Sequence, residues 1–275
     1  MTLPRILCYH KVDRRVELGV TRLSPRRFAR QIERLARRGC TTLTLDQLRA
    51  CLTGARACGP HDIAITFDDG YRALREHAFP VLAAHGFTAL CFVITDYAGK
   101  LNRWDIAYGG RRFAHLAWRD MRRWQSRGIE FASHTATHPR LTWLGDGDVA
   151  RELSRSRAAL RDALDIDPGV VSWPFGAHGE REHRIAEREG YSLGLTIGRA
   201  REWTGDLFAV PRHPVYMWSP ATPGFGVLAG LDSVVGTIAN RCAVGTSIIR
   251  RAERARLAAS LMIEGSRWKQ RDNCG

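Results

Sequence analysis

Residues 63–72 read IAITFDDGYR. An apolar, β-favouring run from Ile63 to Phe67 leads directly into two carboxylates, Asp68 and Asp69, and then Gly70. A run this short, rich in branched and aromatic residues, predicts a buried strand that ends at the aspartates. A helical pattern follows over Glu76 to Ala84, with Gly86 as its stop, and then a strand-like run from Thr88 to Thr95. Strand, helix, strand in this order is the unit of a parallel sheet with right-handed crossovers. The acidic pair is costly where it stands, because adjacent carboxylates repel each other and both resist burial.

The same unit recurs on both sides. Upstream, Arg5 to Tyr9 is a strand candidate that ends at His10. Ser24 and Pro25 open a helix with Phe28, Ile32 and Leu35 on one face, and Gly39 stops it. TTLTL (41–45) reads as a strand and DQLRACLTG (46–54) as a short helix. Downstream, helices are expected over Trp118 to Arg127, Asp148 to Leu164 and Glu180 to Glu189. The second of these turns Val149, Leu153, Ala159 and Leu160 inward. Strands are expected over Ile129 to Ser133, Val170 to Trp173, Tyr191 to Ile197 and around Phe208 to Val215. About seven such units make an α/β fold, a (β/α) barrel, in which chemistry collects at the carboxyl ends of the strands.

Other polar groups stand at strand ends too. His134 and His138 are four residues apart in HTATH, and one helical turn would bring both imidazoles to one side. Joined by one of the aspartates, they make a two-histidine, one-carboxylate set with an open position, which suits catalytic zinc or a similar divalent ion. The cation would cancel the repulsion that makes the acidic pair costly. It would also lower the pKa of a water it holds from about 15.7 toward about 7, so that the second aspartate can take the proton.

TFDDG (66–70), HTATH (134–138) and WPFG (173–176) resemble the motifs of the polysaccharide deacetylase family, the NodB-homology group or carbohydrate esterase family 4. CYHKV (8–12) resembles its exopolysaccharide subgroup, which deacetylates poly-N-acetylglucosamine and related polymers. The resemblance runs over residues 5–215 and implies a distorted seven-stranded NodB-type barrel over residues 1–217. It implies a metal-dependent N-deacetylase acting on an N-acetylated amino sugar in a polysaccharide or a lipid-linked glycan precursor. Carried over by position, it makes Asp68 the general base and Asp69, His134 and His138 the metal ligands. The Phe175 backbone N–H becomes an oxyanion donor. His213 becomes the general acid, although PRHPV matches that motif poorly, with His10 competing for the role or contacting substrate. Ser172 stands where many members carry an arginine that orients the base, which leaves Arg212 as the candidate for that task. His10, Tyr71, Trp173, Pro174 and Arg212 are expected around the substrate, with Trp173 as a sugar-binding wall. Zinc is the first expectation for the metal, and cobalt, nickel or manganese fit the same ligand types. An amidase, deformylase or O-acetyl esterase is the alternative within hydrolases. A non-catalytic carbohydrate-binding barrel is the alternative outside them.

The remaining sequence sets the context. Among 275 residues, 44% are hydrophobic and 25% charged, as in ordinary globular proteins. The net charge of +14 points to an anionic partner, but no nucleic-acid-binding motif accompanies it, and nucleic acid is set aside. The seven cysteines include no CxxC pair, and Cys8 and Cys91 lie in apolar runs that suit reduced thiols. The amino-terminal apolar run is too short for a signal peptide, so a cytoplasmic location is expected. Residues 218–275 form an extension, with an apolar glycine-rich stretch at 224–239 and a basic amphipathic helix at 242–265. That helix either closes the barrel or lies on an anionic membrane surface, which would place the enzyme at the inner face of the membrane. Trp104, Trp118 and Trp124 read as packing residues, and His61, His77, His85, His115, His178 and His183 as surface positions.

Overall fold

The computed structural model describes residues 3–16, 20–103, 112–198 and 203–219. Trp104 and, beyond Ser219, the expected carboxyl-terminal extension lie outside them. In chain order the elements are β1 (Arg5–Tyr9), β2 (Lys11–Val12), β3 (Arg22–Leu23), α1 (Pro25–Arg37), β4 (Thr41–Thr42), α2 (Leu45–Thr53) and β5 (Asp62–Phe67). Then come α3 (Leu74–His77), α4 (Phe79–Ala84), β6 (Ala89–Val93), α5 (Trp118–Gln125), β7 (Ile129–Ser133) and α6 (Asp146–Leu164). The barrel ends with β8 (Val170–Ser172), α7 (Glu180–Arg188), β9 (Leu193–Ile197) and β10 (Val210–Pro214). Strand β1 pairs in parallel with both β5 and β10, which closes β1, β5, β6, β7, β8, β9 and β10 into a seven-stranded ring. The two-residue β4 sits on the first residues of β5, and β2 pairs with β3 outside the ring. None of the described helices is long and apolar enough to cross a membrane.

Period-two alternation gives each strand two apolar faces. The inner row includes Ile6, Ala64, Phe92, Ala132, Leu195 and Val210, and Leu45, Leu48 and Leu52 of α2 floor it. The outer row includes Leu7, Tyr9, Ile65, Phe67 and Phe131, packed with Phe28, Ile32 and Leu35 of α1. Followed to the carboxyl ends, the inner row becomes Cys8 and His10, Thr66 and Asp68, His134, Ser172 and Arg212. Polar side chains thus replace apolar ones where the barrel opens.

Local chemistry explains where element boundaries differ from expectation. Ser24 caps α1 and Pro25 opens it, as read. The expected strand at 41–45 shortens to two residues because Thr44 forms a capping box with Gln47 and starts α2. The expected single helix over 76–84 divides at Ala78, because Pro80 lies in the first turn of α4 and cannot prolong a preceding helix. In α6, Ser156 rather than Ala159 is fully buried, where its hydroxyl meets that of Ser133 at 2.8 Å.

Candidate active site

Four charged or titratable groups from two strand ends meet at the mouth of the barrel. Asp68 and Asp69 follow β5, while His134 and His138 follow β7. Asp68 is 2% exposed. Its Oδ1 and Oδ2 accept from Nη1 and Nη2 of Arg212, each at 2.7 Å. The Ser172 hydroxyl donates to Oδ2 at 3.2 Å, and the Cys8 thiol lies 3.5 Å from the same oxygen. Burial alone would raise this carboxyl's pKa, but the Arg212 charge, with His134 and His10 adding to it, holds the pKa well below the usual carboxylate range. Arg212 is itself 1% exposed and also donates to Ser172 Oγ at 2.7 Å.

The neighbouring carboxylate turns to the histidines. Asp69 Oδ1 lies 3.5 Å from His134 Nε2 and 3.7 Å from His138 Nε2, and the two Nε2 atoms are 3.1 Å apart. His134 is fixed in tautomer, because its Nδ1–H donates to the Ser172 carbonyl at 2.8 Å and leaves Nε2 as a lone pair. Burial opposes charge on His134, but Asp68 and Asp69 outweigh it and raise its pKa. Burial and the proximity of His134 push His138 down to about 3. The Arg212 guanidinium thus pairs with Asp68, while the donor atoms of Asp69, His134 and His138 all fall within 4.8 Å of one another. The surplus negative charge and the donor types fit a divalent cation with open positions.

The backbone is bent to achieve this convergence. HTATH does not form the expected helical turn. Thr135 and His138 take left-handed φ values of 65° and 60°, and a folded loop brings the rings together. Asp69 at φ 69° and Phe175 at φ 60° do the same. Four of the five left-handed non-glycine residues among those described thus belong to this site, each costing on the order of 1–2 kcal/mol. Gly70 also has φ 65°, and a Cβ there would meet Val93 Cγ1 at 2.7 Å, so no other residue fits.

Three supports escaped the sequence reading. Glu152 of α6 accepts from the Thr137 N–H at 2.8 Å and the Thr137 hydroxyl at 2.6 Å, which clamps the histidine loop. His115, expected at the surface, is 2% exposed and donates from Nδ1 to the Asp69 carbonyl at 2.7 Å. Burial pushes its pKa down to about 4. His178 and His183 are half-buried and stack on Trp173. The partner of His115 lies 46 residues away and that of Glu152 lies 15 away, so no local pattern marks either.

Several expected site residues take other places. His213 pairs with Leu7 in the sheet register, on the outer face of β10, whereas Arg212 faces inward. Strand alternation therefore turns His213 away from Asp68, and the general-acid expectation for it is corrected. His10 continues the inner row, and donor atoms of Cys8, His10 and Asp68 lie within 4.8 Å of one another. Its Nδ1 is buried without a hydrogen-bond partner among the described residues.

Trp173 is 1% exposed, and its indole N–H donates to the Phe208 carbonyl at 2.7 Å. It is core between β8, α6 and α7 and not a sugar-binding wall. Tyr71 is buried with its ring stacked on His115 at 5.1 Å and capped by the Lys11 amine at 4.2 Å, so it supports the Asp69 turn instead of facing a glycan. Pro174 is buried at the start of a 3₁₀ turn, and Arg212 lies beneath Asp68, so neither offers a surface to substrate. Phe175 is half-buried, with its ring 4.7 Å from that of His138.

Residues 56–194 of this chain match the polysaccharide deacetylase family. The chain belongs to that family. Among its deacetylase relatives, YxkH of Bacillus subtilis (strain 168) is 28% identical over 231 residues, covering 83% of this chain and 76% of that protein. The poly-beta-1,6-N-acetyl-D-glucosamine N-deacetylase of Escherichia coli (strain K12) is 22% identical over 209 residues. That match covers 65% of this chain but only 31% of the E. coli protein. Among solved structures, IcaB from Ammonifex degensii superposes with a TM-score of 0.70 at 23% identity, over 87% of this chain and 98% of that one. The Streptococcus pyogenes deacetylase PplD superposes with a TM-score of 0.69 at 21% identity, over 79% and 94% of the two chains. These superpositions support the closed deacetylase barrel.

Proposed function

We propose that this deacetylase-family protein hydrolyses the acetamido group of an N-acetylated amino sugar, in a polysaccharide or lipid-linked glycan precursor, and releases acetate. The observation that carries the reading is a buried carboxylate held ionised by Arg212 beside a convergent carboxylate and two imidazoles. The named activity of the E. coli relative on poly-N-acetylglucosamine supports the substrate class.

Asp69, His134 and His138 would hold a divalent cation, zinc by preference. When bound, the cation acidifies a water and polarises the acetyl carbonyl. Asp68 accepts the proton of the attacking water. It is ready to do so because Arg212 fixes both carboxylate oxygens and keeps the group charged at neutral pH. The Phe175 N–H donates to the oxygen that gains negative charge as the carbonyl carbon becomes tetrahedral. His10, on the inner row beside Asp68, donates a proton to the departing sugar nitrogen. The C–N bond breaks, leaving acetate and a free amine.

The test is acetate release from N-acetylglucosamine oligomers and from lipid-linked N-acetylated sugars, with aryl acetate esters and simple amides in parallel. Release from the sugars at rates above the esters supports the reading. Turnover of esters or simple amides alone, or of nothing in the panel, contradicts it.

A further inference from the structure

At the opposite end of β5 from the aspartates lies a second cluster. The donor atoms of Cys51, Cys58 and Asp62 fall within 4.8 Å of one another. Cys51 is on α2, buried against the barrel floor, and Cys58 is half-buried in the connection to β5. The chain turns back to bring them together. Gly54 ends α2 at φ 79°, and the Arg56 N–H donates to the Ala50 carbonyl at 3.0 Å.

We propose that Cys51 and Cys58 are a dithiol that closes reversibly into a disulfide, a modification site at the amino end of the barrel. A cation at the same place is disfavoured by the third group. Both Asp62 oxygens are already engaged, Oδ1 by the Thr41 hydroxyl at 3.0 Å and Oδ2 by the Gly59 N–H at 3.0 Å and Arg56 at 3.1 Å. The Arg56 guanidinium also reaches to 4.0 Å from Cys51 Sγ, where its positive charge opposes a metal ion.

The chemistry is exchange with a small-molecule disulfide. A thiolate of Cys58, the more accessible member, attacks one sulfur of the external disulfide and expels one thiol. Cys51 then attacks the mixed disulfide through its own thiolate, forms the Cys51–Cys58 bond and expels the second thiol. The external disulfide is reduced to two thiols, and the two cysteines lose two protons and two electrons. The sulfurs lie within 4.8 Å of each other, and closure draws them to about 2.05 Å. Burial, with Cys51 and Asp62 adding to it, pushes the Cys58 thiol up to about 12, so exchange accelerates as the solution is made more alkaline. Closure ties the end of α2 to the segment entering β5, and raises the apparent Tm by several degrees.

The full chain is incubated natively with oxidised glutathione, quenched in acid, unfolded, alkylated and cut with trypsin. Arg49, Arg56 and Arg72 place Cys51 and Cys58 in separate peptides, 50–56 and 57–72. The expected product is those two peptides joined, two hydrogens lighter than their sum, and separated by dithiothreitol. The joined product must vanish in Cys58→Ser, whose Tm under reducing conditions matches that of the unsubstituted chain. The proposal is overturned if Cys58 keeps a glutathione adduct while Cys51 is alkylated, or if both are alkylated as free thiols. It is also overturned if stoichiometric zinc alone shields both from alkylation, which would make the cluster a cation site.

Discussion

Asp68 can stay ionised at 2% exposure because Arg212 lies directly under it. The two parallel bonds set the direction of the carboxylate as well as its charge. Lysine keeps the charge but loses the fork, so Arg212→Lys removes about one charge-assisted hydrogen bond, roughly 2 kcal/mol. If that bond orients the base, kcat for acetate release falls about 30-fold while zinc affinity stays unchanged. An unchanged kcat would show that orientation of Asp68 does not matter. A second residue-scale prediction separates two histidines. His10→Gln is expected to lower kcat by about 10²–10⁴, as loss of a general acid does, while His213→Gln leaves it near the original value. The reverse pattern in steady-state kinetics would remove His10 from the proposed mechanism. Ser172 fits the same scheme. Where a larger residue would crowd the base, its hydroxyl and carbonyl bond Asp68 and His134 respectively.

Among the elements, the loops after β5 and β7 carry strain that their supports must hold. His115 holds the Asp69 carbonyl, and its backbone lies in a segment zipped to the same turn, since Leu116 N–H donates to the Gly70 carbonyl at 2.8 Å. His115→Phe keeps a ring to stack on Tyr71 but removes the donor. We expect zinc affinity by calorimetry to fall about 10–100-fold, as for loss of other groups that orient ligands. An unchanged affinity would make His115 a packing residue only. Strand positions and the motif residues were legible in the sequence, because a buried parallel strand reads as a short apolar run and its carboxyl end as a break to polar residues. The inward turn of Arg212 and the outward turn of His213 were legible in principle from strand alternation, but only once the register of β10 was known. His115, Glu152 and the burial of Trp173 were not legible, because each depends on a partner from a distant segment. The HTATH spacing gave the convergence of two imidazoles but the wrong backbone, since two left-handed residues can do what a helical turn does.

For the molecule as a whole, the barrel is one closed ring, and its stability should respond to acid through histidines buried in the neutral state. His178 has its pKa pushed down to about 4, by burial first and then by His183, with Asp206 and Glu182 opposing. In the unfolded chain a histidine titrates near 6.5, so between about 6.5 and 4 the unfolded state binds more protons. Stability from this group is therefore full above about pH 6.5 and is lost as the pH falls toward 4. Denaturant midpoints should drop between pH 7 and 5 more steeply for the unsubstituted chain than for His178→Gln. Parallel profiles would mean that His178 does not titrate in this way. The net charge of +14 is carried almost entirely by arginine, since lysine occurs only at Lys11, Lys100 and Lys269.

If Asp69, His134 and His138 together hold one catalytic divalent cation beside the Asp68–Arg212 pair, activity must follow metal loading at one ion per chain. The most direct measurement strips the chain with a chelator, then adds zinc in steps while acetate release from an N-acetylglucosamine oligomer is followed. Negligible release is expected before addition, then a linear rise to one equivalent of zinc per chain and a plateau, with no rise in Asp69→Ala. Full activity in the stripped chain, or an identical response in Asp69→Ala, would contradict it.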